Sequence, residues 1–201
     1  MSLTNFPKHL NINGHYIDNM VEIMTKWEYL IPFTQTKEKL HLQDVSSQLK
    51  QNHTTVRKYL NHFEEKGILH KSFKGRLTLY ELNKNHPYII SILSIVEKER
   101  LLKRITSNAT FGDLVNQLQK VTNELVIIFG SSVNEYKKAE DIDILTTAHS
   151  KVFAIIESSF PKPLHIISVK STDLVDEVLK KEIVYKHLLV QNVEQGVKWL
   201  V

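Results

Sequence analysis

The sequence predicts an α/β chain of two domains, an N-terminal helical unit closed by a β-hairpin and a C-terminal mixed sheet with flanking helices. Three observations predict it. Between Leu42 and Asn83, two amphipathic helical patterns precede two alternating strands around Lys74-Gly75. Between Leu125 and Thr147, a short apolar run breaks at Gly130-Ser131 and a second apolar run carries Asp141 and Asp143. The excess positive charge lies wholly in the first half: residues 1–84 hold twelve Lys and Arg against eight Asp and Glu, whereas 85–201 hold fourteen of each.

In the first half, Leu42, Val45 and Leu49 recur at the spacing of one helix face, and Lys50 to His53 form a turn. Val56, Tyr59, Leu60 and Phe63 then follow at i, i+3, i+4 and i+7, with Asn52 placed to cap this second helix. Its opposite face carries Thr54, Thr55, Arg57, Lys58, Asn61 and His62, donors suited to phosphates and base edges. Gly67 stops the helix, and Ile68 to Phe73 and Leu77 to Leu82 read as the strands of a hairpin with Lys71, Lys74 and Arg76 near its tip. This is the order of a winged helix-turn-helix, expected over residues 1–84 with double-stranded DNA as its partner. Within 50–84, eight basic residues face three acidic ones, which predicts phosphate contacts and a salt-dependent affinity. A winged helix that docks on protein, its lysines merely solvated, is the competing reading.

The run TTVRKYLNHFEEKGILHKSFKGRLTLYELN resembles the ArsR-type winged-helix regulators in the Thr-Val after the turn, the Glu-x-x-Gly-Ile exit, and the Gly-Arg, Tyr and Leu-Asn of the wing. With the following helix included, the resemblance covers about the first 105 residues. The chain has no Cys, so the thiolate metal sensing of some such regulators is excluded, and the ten histidines show no convincing ligand spacing and mostly read as surface or second-helix polar residues.

A linker or dimerisation helix is expected over 85–106, opened by Pro87 and carrying Ile89, Leu93, Val96, Leu101, Leu102 and Ile105. It either packs back on its own winged helix or pairs with its twin. The second is preferred, since helix-turn-helix modules usually read two half-sites through two-fold symmetry, and a homodimer is expected. Thr110 to Asp113 open a further helix with Leu114, Leu118 and Val121 on one side.

Over 107–201, Leu125 to Phe129 is the β-branched, aromatic run of a buried strand, and Gly130 ends it in a tight turn that opens a short helix. Backbone N–H groups there, with the Ser131 hydroxyl and neighbouring Ser132, suit phosphate oxygens. Asp141 and Asp143 alternate with Ile142 and Ile144, so both carboxylates leave one strand face, an arrangement that suits Mg²⁺ shared with substrate phosphates. Glu140 is expected on the opposite strand face. A helix over Ser150 to Phe160, a strand over Leu164 to Val169, a helix from Thr172 to about Leu189 and a short closing helix from Asn192 to Leu200 complete the order.

Strand, Gly-Ser turn and Asp-x-Asp at this spacing resemble the nucleotidyltransferase superfamily related to DNA polymerase beta. The resemblance implies a nucleotidyltransferase-like mixed sheet, Gly130 and Ser131 as the turn that binds an NTP, most readily ATP, and Asp141 and Asp143 as catalytic ligands to Mg²⁺ or Mn²⁺. It implies transfer of a nucleoside monophosphate to a hydroxyl on a protein or small molecule, with an operon partner protein as one acceptor class. Active members place a third carboxylate on a later strand, whereas here Leu164 to Val169 contains no acid, and His165 or Ser168 stands near that position. Asn134 and Glu140 also depart from the pattern. A DNA-binding regulator whose second domain binds nucleotide or partner without turnover therefore stays open beside the enzyme.

At 201 residues and 42% hydrophobic composition, two modest cores are expected. No apolar run approaches the roughly 20 residues that span a bilayer, and the first residues lack the apolar core of a signal peptide. No membrane partner is expected, and the absence of Cys fits a cytoplasmic location.

Overall fold

The computed structural model describes residues 26–201. Among them the chain is mixed α/β, with nine α-helices and two sheets.

A short 3₁₀ turn, Trp27–Leu30, leads into α1 (Ile31–Thr34), which starts on Pro32. Trp27 stacks on Phe63 and Tyr29 on Tyr59, with ring centres 5.8 and 4.4 Å apart, so this segment is held on the second helix of the unit. β1 (Leu40–His41) is followed at once by α2 (Leu42–Leu49). His41 and Asp44 cap that helix reciprocally: the His41 ring accepts the Gln43 N–H, and the Asp44 carboxylate accepts the His41 N–H. Lys50 ends α2 in the left-handed conformation. Asn52 caps α3 (His53–Glu65) by accepting the Thr55 N–H at 2.8 Å, as its position predicts. Val56, Tyr59, Leu60 and Phe63 are buried. β2 (Leu69–Lys74) and β3 (Leu77–Leu82) pair antiparallel across Gly75, whose φ of +61° suits glycine, and β1 joins β3 to give the order β1-β3-β2.

The expected linker helix is α4 (Ile89–Ser107). Its apolar face is consumed within its own chain: Ile89, Leu93 and Val96 enter one core and Leu101 a second. Only Ile95 and Leu102 stay outside as large exposed apolar residues of this helix. α5 (Ala109–Val121), capped by Asn108, follows.

The second sheet has the order β6-β5-β4-β7, built from β4 (Val126–Phe129), β5 (Ile142–Thr146), β6 (Leu164–Ser168) and β7 (His187–Gln191). β4 pairs antiparallel with β5 and β7, while β5 and β6 are parallel. Between these strands lie α6 (Ser132–Glu135), α7 (Ala154–Ser159) and α8 (Glu177–Tyr185), and α9 (Val193–Leu200) closes the unit. β7 corrects the single helix expected from Thr172 to about Leu189. That stretch is a 3₁₀ turn, a helix begun by Asp176 and a strand. Leu188, Leu189 and Val190 are buried on both faces, and a short fully apolar run carries no period that separates strand from helix.

The two cores do not coincide with the two expected domains. Alternate residues of the second sheet face opposite ways: Val126, Ile128, Ile144, Leu188 and Val190 meet Phe111, Leu114 and Phe153. Leu125, Ile127, Phe129, Leu145 and Leu189 belong instead to one continuous cluster with Tyr29, Phe33, Val56, Phe63 and Leu93. The N-terminal unit thus packs toward one face of the second sheet, together with α4 and α9.

A buried polar knot sits at this junction. Glu97 and Arg100 of α4 pair at 2.8 Å, at 1% and 8% exposure, and Arg100 also donates to the His187 carbonyl at 2.9 Å. The Thr34 hydroxyl lies 3.4 Å from the same guanidinium. His187 is fully buried; its Nδ1 faces the carbonyls of Ile183 and Val184, and its Nε2 faces Arg100 and Glu97. Burial alone raises a carboxyl, but Arg100 and His187 outweigh it and hold Glu97 down to about 2. His187 is thereby a core residue, an exception to the reading of most histidines as surface residues.

Candidate metal centre

The end of β4 and the start of β5 are adjacent antiparallel strands, with Phe129 opposite Asp143, so the turn after β4 and the acids before and within β5 meet at one sheet end. Gly130 is in the left-handed region at φ +76°. A Cβ there would stand 2.7 Å from Asp143 Oδ2, so the bare α-carbon is what lets the carboxylate lie against the turn. The Gly130 N–H is fixed by the Lys186 carbonyl at 3.1 Å.

Asp141 and Asp143 converge as expected. Asp141 precedes β5 rather than lying in it, which frees the segment from strict alternation. Glu140, expected on the opposite face, lines the same cleft as Asp141. His165 of β6 is the parallel-register partner of Asp143, and its Nδ1 lies 3.2 Å from Asp141 Oδ2 and 3.6 Å from Asp143 Oδ1. One donor atom from each of Asp141, Asp143 and His165 falls within 4.8 Å of the others, the arrangement of a three-ligand cation site. Ser168, the other residue considered near this position, is turned away, donating to the Ala148 carbonyl at 2.6 Å.

Partial burial, then the Asp141 charge, push the Asp143 carboxyl above its ordinary range, with Glu182 adding to the repulsion and His165 opposing it. Glu182 of α8 is therefore a further carboxylate acting on this site, unrecognised in the sequence because it lies on a helix rather than a strand. Asp173 and Asp176 do other work: Asp176 caps α8 by accepting the Val178 and Leu179 N–H groups, and Asp173 bonds Ser171.

Beside the acids opens a cleft of about 670 Å³ lined by Ser131, Asn134, Glu135, Lys138, Glu140, Asp141 and Lys186. Ser131 is exposed at its mouth and makes no side-chain capping bond to the following helix, so the hydroxyl is available. Ser132 is corrected: its hydroxyl is buried and directed at the Phe129 carbonyl, because the turn rotates it into the sheet. Lys138 pairs with Glu135 at 3.0 Å, leaving Lys186 as the cleft's cation without an ion pair among the described residues. Lys186 carried no sequence signal, since only the tertiary bond to Gly130 brings it here.

The DNA-facing set divides. Thr54, Arg57, Lys58, Lys74 and Arg76 are exposed and Thr55 is half-buried on α3 and the hairpin. Asn61 has its acceptor engaged: Oδ1 accepts Lys71 at 3.2 Å and the Tyr80 hydroxyl at 3.0 Å, and this ties Lys71 and the hairpin to the helix. His62 is turned partly inward, with Nε2 buried and its ring edge-on to Phe63.

No helix of the described residues is long and apolar enough to cross a membrane. No family model matches the chain, and no curated protein is similar to it. Among solved structures, the chain is similar to the crystal structure of human N-acetylserotonin methyltransferase (ASMT) in complex with SAM, at 13% identity and a TM-score of 0.34. That match covers 61% of this chain and 37% of the methyltransferase, so the chain spans little more than a third of that protein's length.

Proposed function

We propose that the chain is a metal-dependent nucleotidyltransferase, over residues 107–201, joined to a DNA-binding winged helix-turn-helix in the expected 1–84 domain, of which 1–25 lie outside the described residues. The observation that carries this reading is the convergence of Asp141 and Asp143 against the Gly130-Ser131 turn, at the edge of a cleft holding Lys186. The donor set fits a divalent cation, and the cradle at Gly130 keeps Asp143 in place for one. A bound Mg²⁺ or Mn²⁺ supplies charge neutralisation on the phosphates. Ser131 and the turn's N–H groups hold the polyphosphate of an NTP, ATP first, while Lys186 meets its outer charge. The acceptor hydroxyl oxygen bonds to the α-phosphorus, the α–β anhydride bond breaks, pyrophosphate leaves, and the acceptor proton passes to water. Acceptors are a hydroxyl on an operon partner protein or a small molecule. The 85–106 helix belongs to the body of the chain, and a homodimer would use what α4 leaves exposed.

One observation favours a second reading. At the register position beside Asp143 stands His165 instead of a third carboxylate, which fits a DNA-binding regulator that holds nucleotide or a partner protein without turnover.

Transfer of label from α-labelled ATP, GTP, CTP and UTP in host lysate, compared between the wild type and the Asp141→Ala/Asp143→Ala variant, tests the choice. Label transferred by the wild type alone supports the enzyme. No transfer by a folded protein that still binds DNA supports the regulator.

A further inference from the structure

His165 is an imidazole where two carboxylates already converge, and its position is built rather than incidental. β5 and β6 run parallel with Asp143 beside His165, so strand register holds the ring against both acids. Ligand bonds of about 2.1 Å at angles of about 90–109° put neighbouring donor atoms roughly 3.0–3.4 Å apart. The 3.2 Å from His165 Nδ1 to Asp141 and the 3.6 Å to Asp143 lie at or just beyond that spacing, and all three donor atoms fall within 4.8 Å of one another. Mg²⁺ prefers oxygen donors and gives up water reluctantly, whereas imidazole nitrogen suits first-row transition ions, for which mixed N/O sites have the greater affinity.

We infer that His165 Nδ1 is the third ligand of this centre and makes it select a first-row transition dication, such as Mn²⁺ or Co²⁺, over Mg²⁺. This rests on the reading of Asp141 and Asp143 as metal ligands. It replaces the all-oxygen chemistry expected from the sequence with a two-carboxylate, one-imidazole set, of which Asp141 also lines the Ser131 cleft where substrate phosphates would be held.

Calorimetric titration of the full chain with MnCl₂, CoCl₂ and MgCl₂, together with pulsed EPR of the Mn²⁺-loaded protein, tests the assignment. Mn²⁺ and Co²⁺ bind more tightly than Mg²⁺, and the EPR spectrum shows coupling to one imidazole ¹⁴N. His165→Ala loses that coupling and the preference, and His165→Asp shifts the preference toward Mg²⁺. Absence of nitrogen coupling in the wild type, or an unchanged Mn²⁺ to Mg²⁺ ratio in His165→Ala, overturns it; the wild-type spectrum decides the point even where a variant fails to fold. Nitrogen coupling without label transfer leaves this inference standing and sinks the transferase. Label transfer with Mg²⁺ preferred and no nitrogen coupling does the reverse.

Discussion

Glu97 Oε2 lies 2.8 Å from Arg100 Nη1, one helical turn apart on α4, and both side chains are sealed beneath the N-terminal unit. Removing the carboxylate leaves a buried guanidinium with the His187 carbonyl and the Thr34 hydroxyl as oxygen partners and no counter-charge. Glu97→Ala is expected to cost about 3–5 kcal/mol, seen as a fall in Tm of roughly 10 °C. An unchanged melting curve would refute a structural role for the pair.

The same pair sets an acid limit. Glu97 has a folded-state value of about 2, below its unfolded value. Its contribution is thus complete above the unfolded carboxyl range and is lost as pH falls through that range toward about 2. Urea midpoints measured from pH 7 downward should fall more steeply for the wild type than for Glu97→Gln, in which this proton linkage is absent.

Gly130→Ala should be damaging twice over. The left-handed backbone costs about 1–2 kcal/mol for a residue with a Cβ, and the methyl meets Asp143 Oδ2 at 2.7 Å. Calorimetry should show loss of divalent-ion binding together with a modest fall in Tm. Retained metal affinity would show that Asp143 does not depend on the turn.

Lys186→Ala should weaken nucleotide binding by about ten-fold or more, the scale of one charge-assisted bond to phosphate. Stability should be unaffected, because the residue's structural contact is its backbone carbonyl to Gly130. The check is a Kd for a fluorescent ATP analogue beside a melting curve; an unaltered Kd removes Lys186 from the cleft's function.

On the helix expected to enter the groove, Arg57 and Asn61 should behave differently. Arg57→Ala and Arg76→Ala should weaken binding to DNA and each lower the salt slope by about one, with little change in Tm. Asn61→Ala should lower Tm, since it strips the acceptor from Lys71 and the Tyr80 hydroxyl. Salt titrations by fluorescence anisotropy distinguish the two, and equal effects on DNA would put Asn61 back among the contacts.

What the sequence made legible was local. The Asn52 cap, the turn at Gly130, and the strands on either side of Lys74-Gly75 are written in near-neighbour chemistry, and they appear where the spacing puts them. Asp141 and Asp143 were readable for the same reason. β7 was hidden because a doubly buried strand has no alternation. His165 was readable as a residue near the third position, but its contact with both acids is set by strand register, and Lys186 arrives through a bond to the turn, both of which depend on residues tens of positions away. α4, expected as a linker or dimerisation helix, buries residues in both cores and joins Glu97 and Arg100 to His187, contacts that no local pattern announces.

The continuity of the first core also governs when this chain is able to fold. Phe33 and Leu200 line one pocket with Leu93 and Val184, and Tyr29 shares a cluster with Ile183 and Val197. During synthesis Phe33 and Leu93 emerge long before Val184 and Leu200, which line the pocket with them. Their apolar surface stays exposed until residues 184–200 have left the ribosome, a delay that long-range closure imposes and that exposes the nascent chain to aggregation.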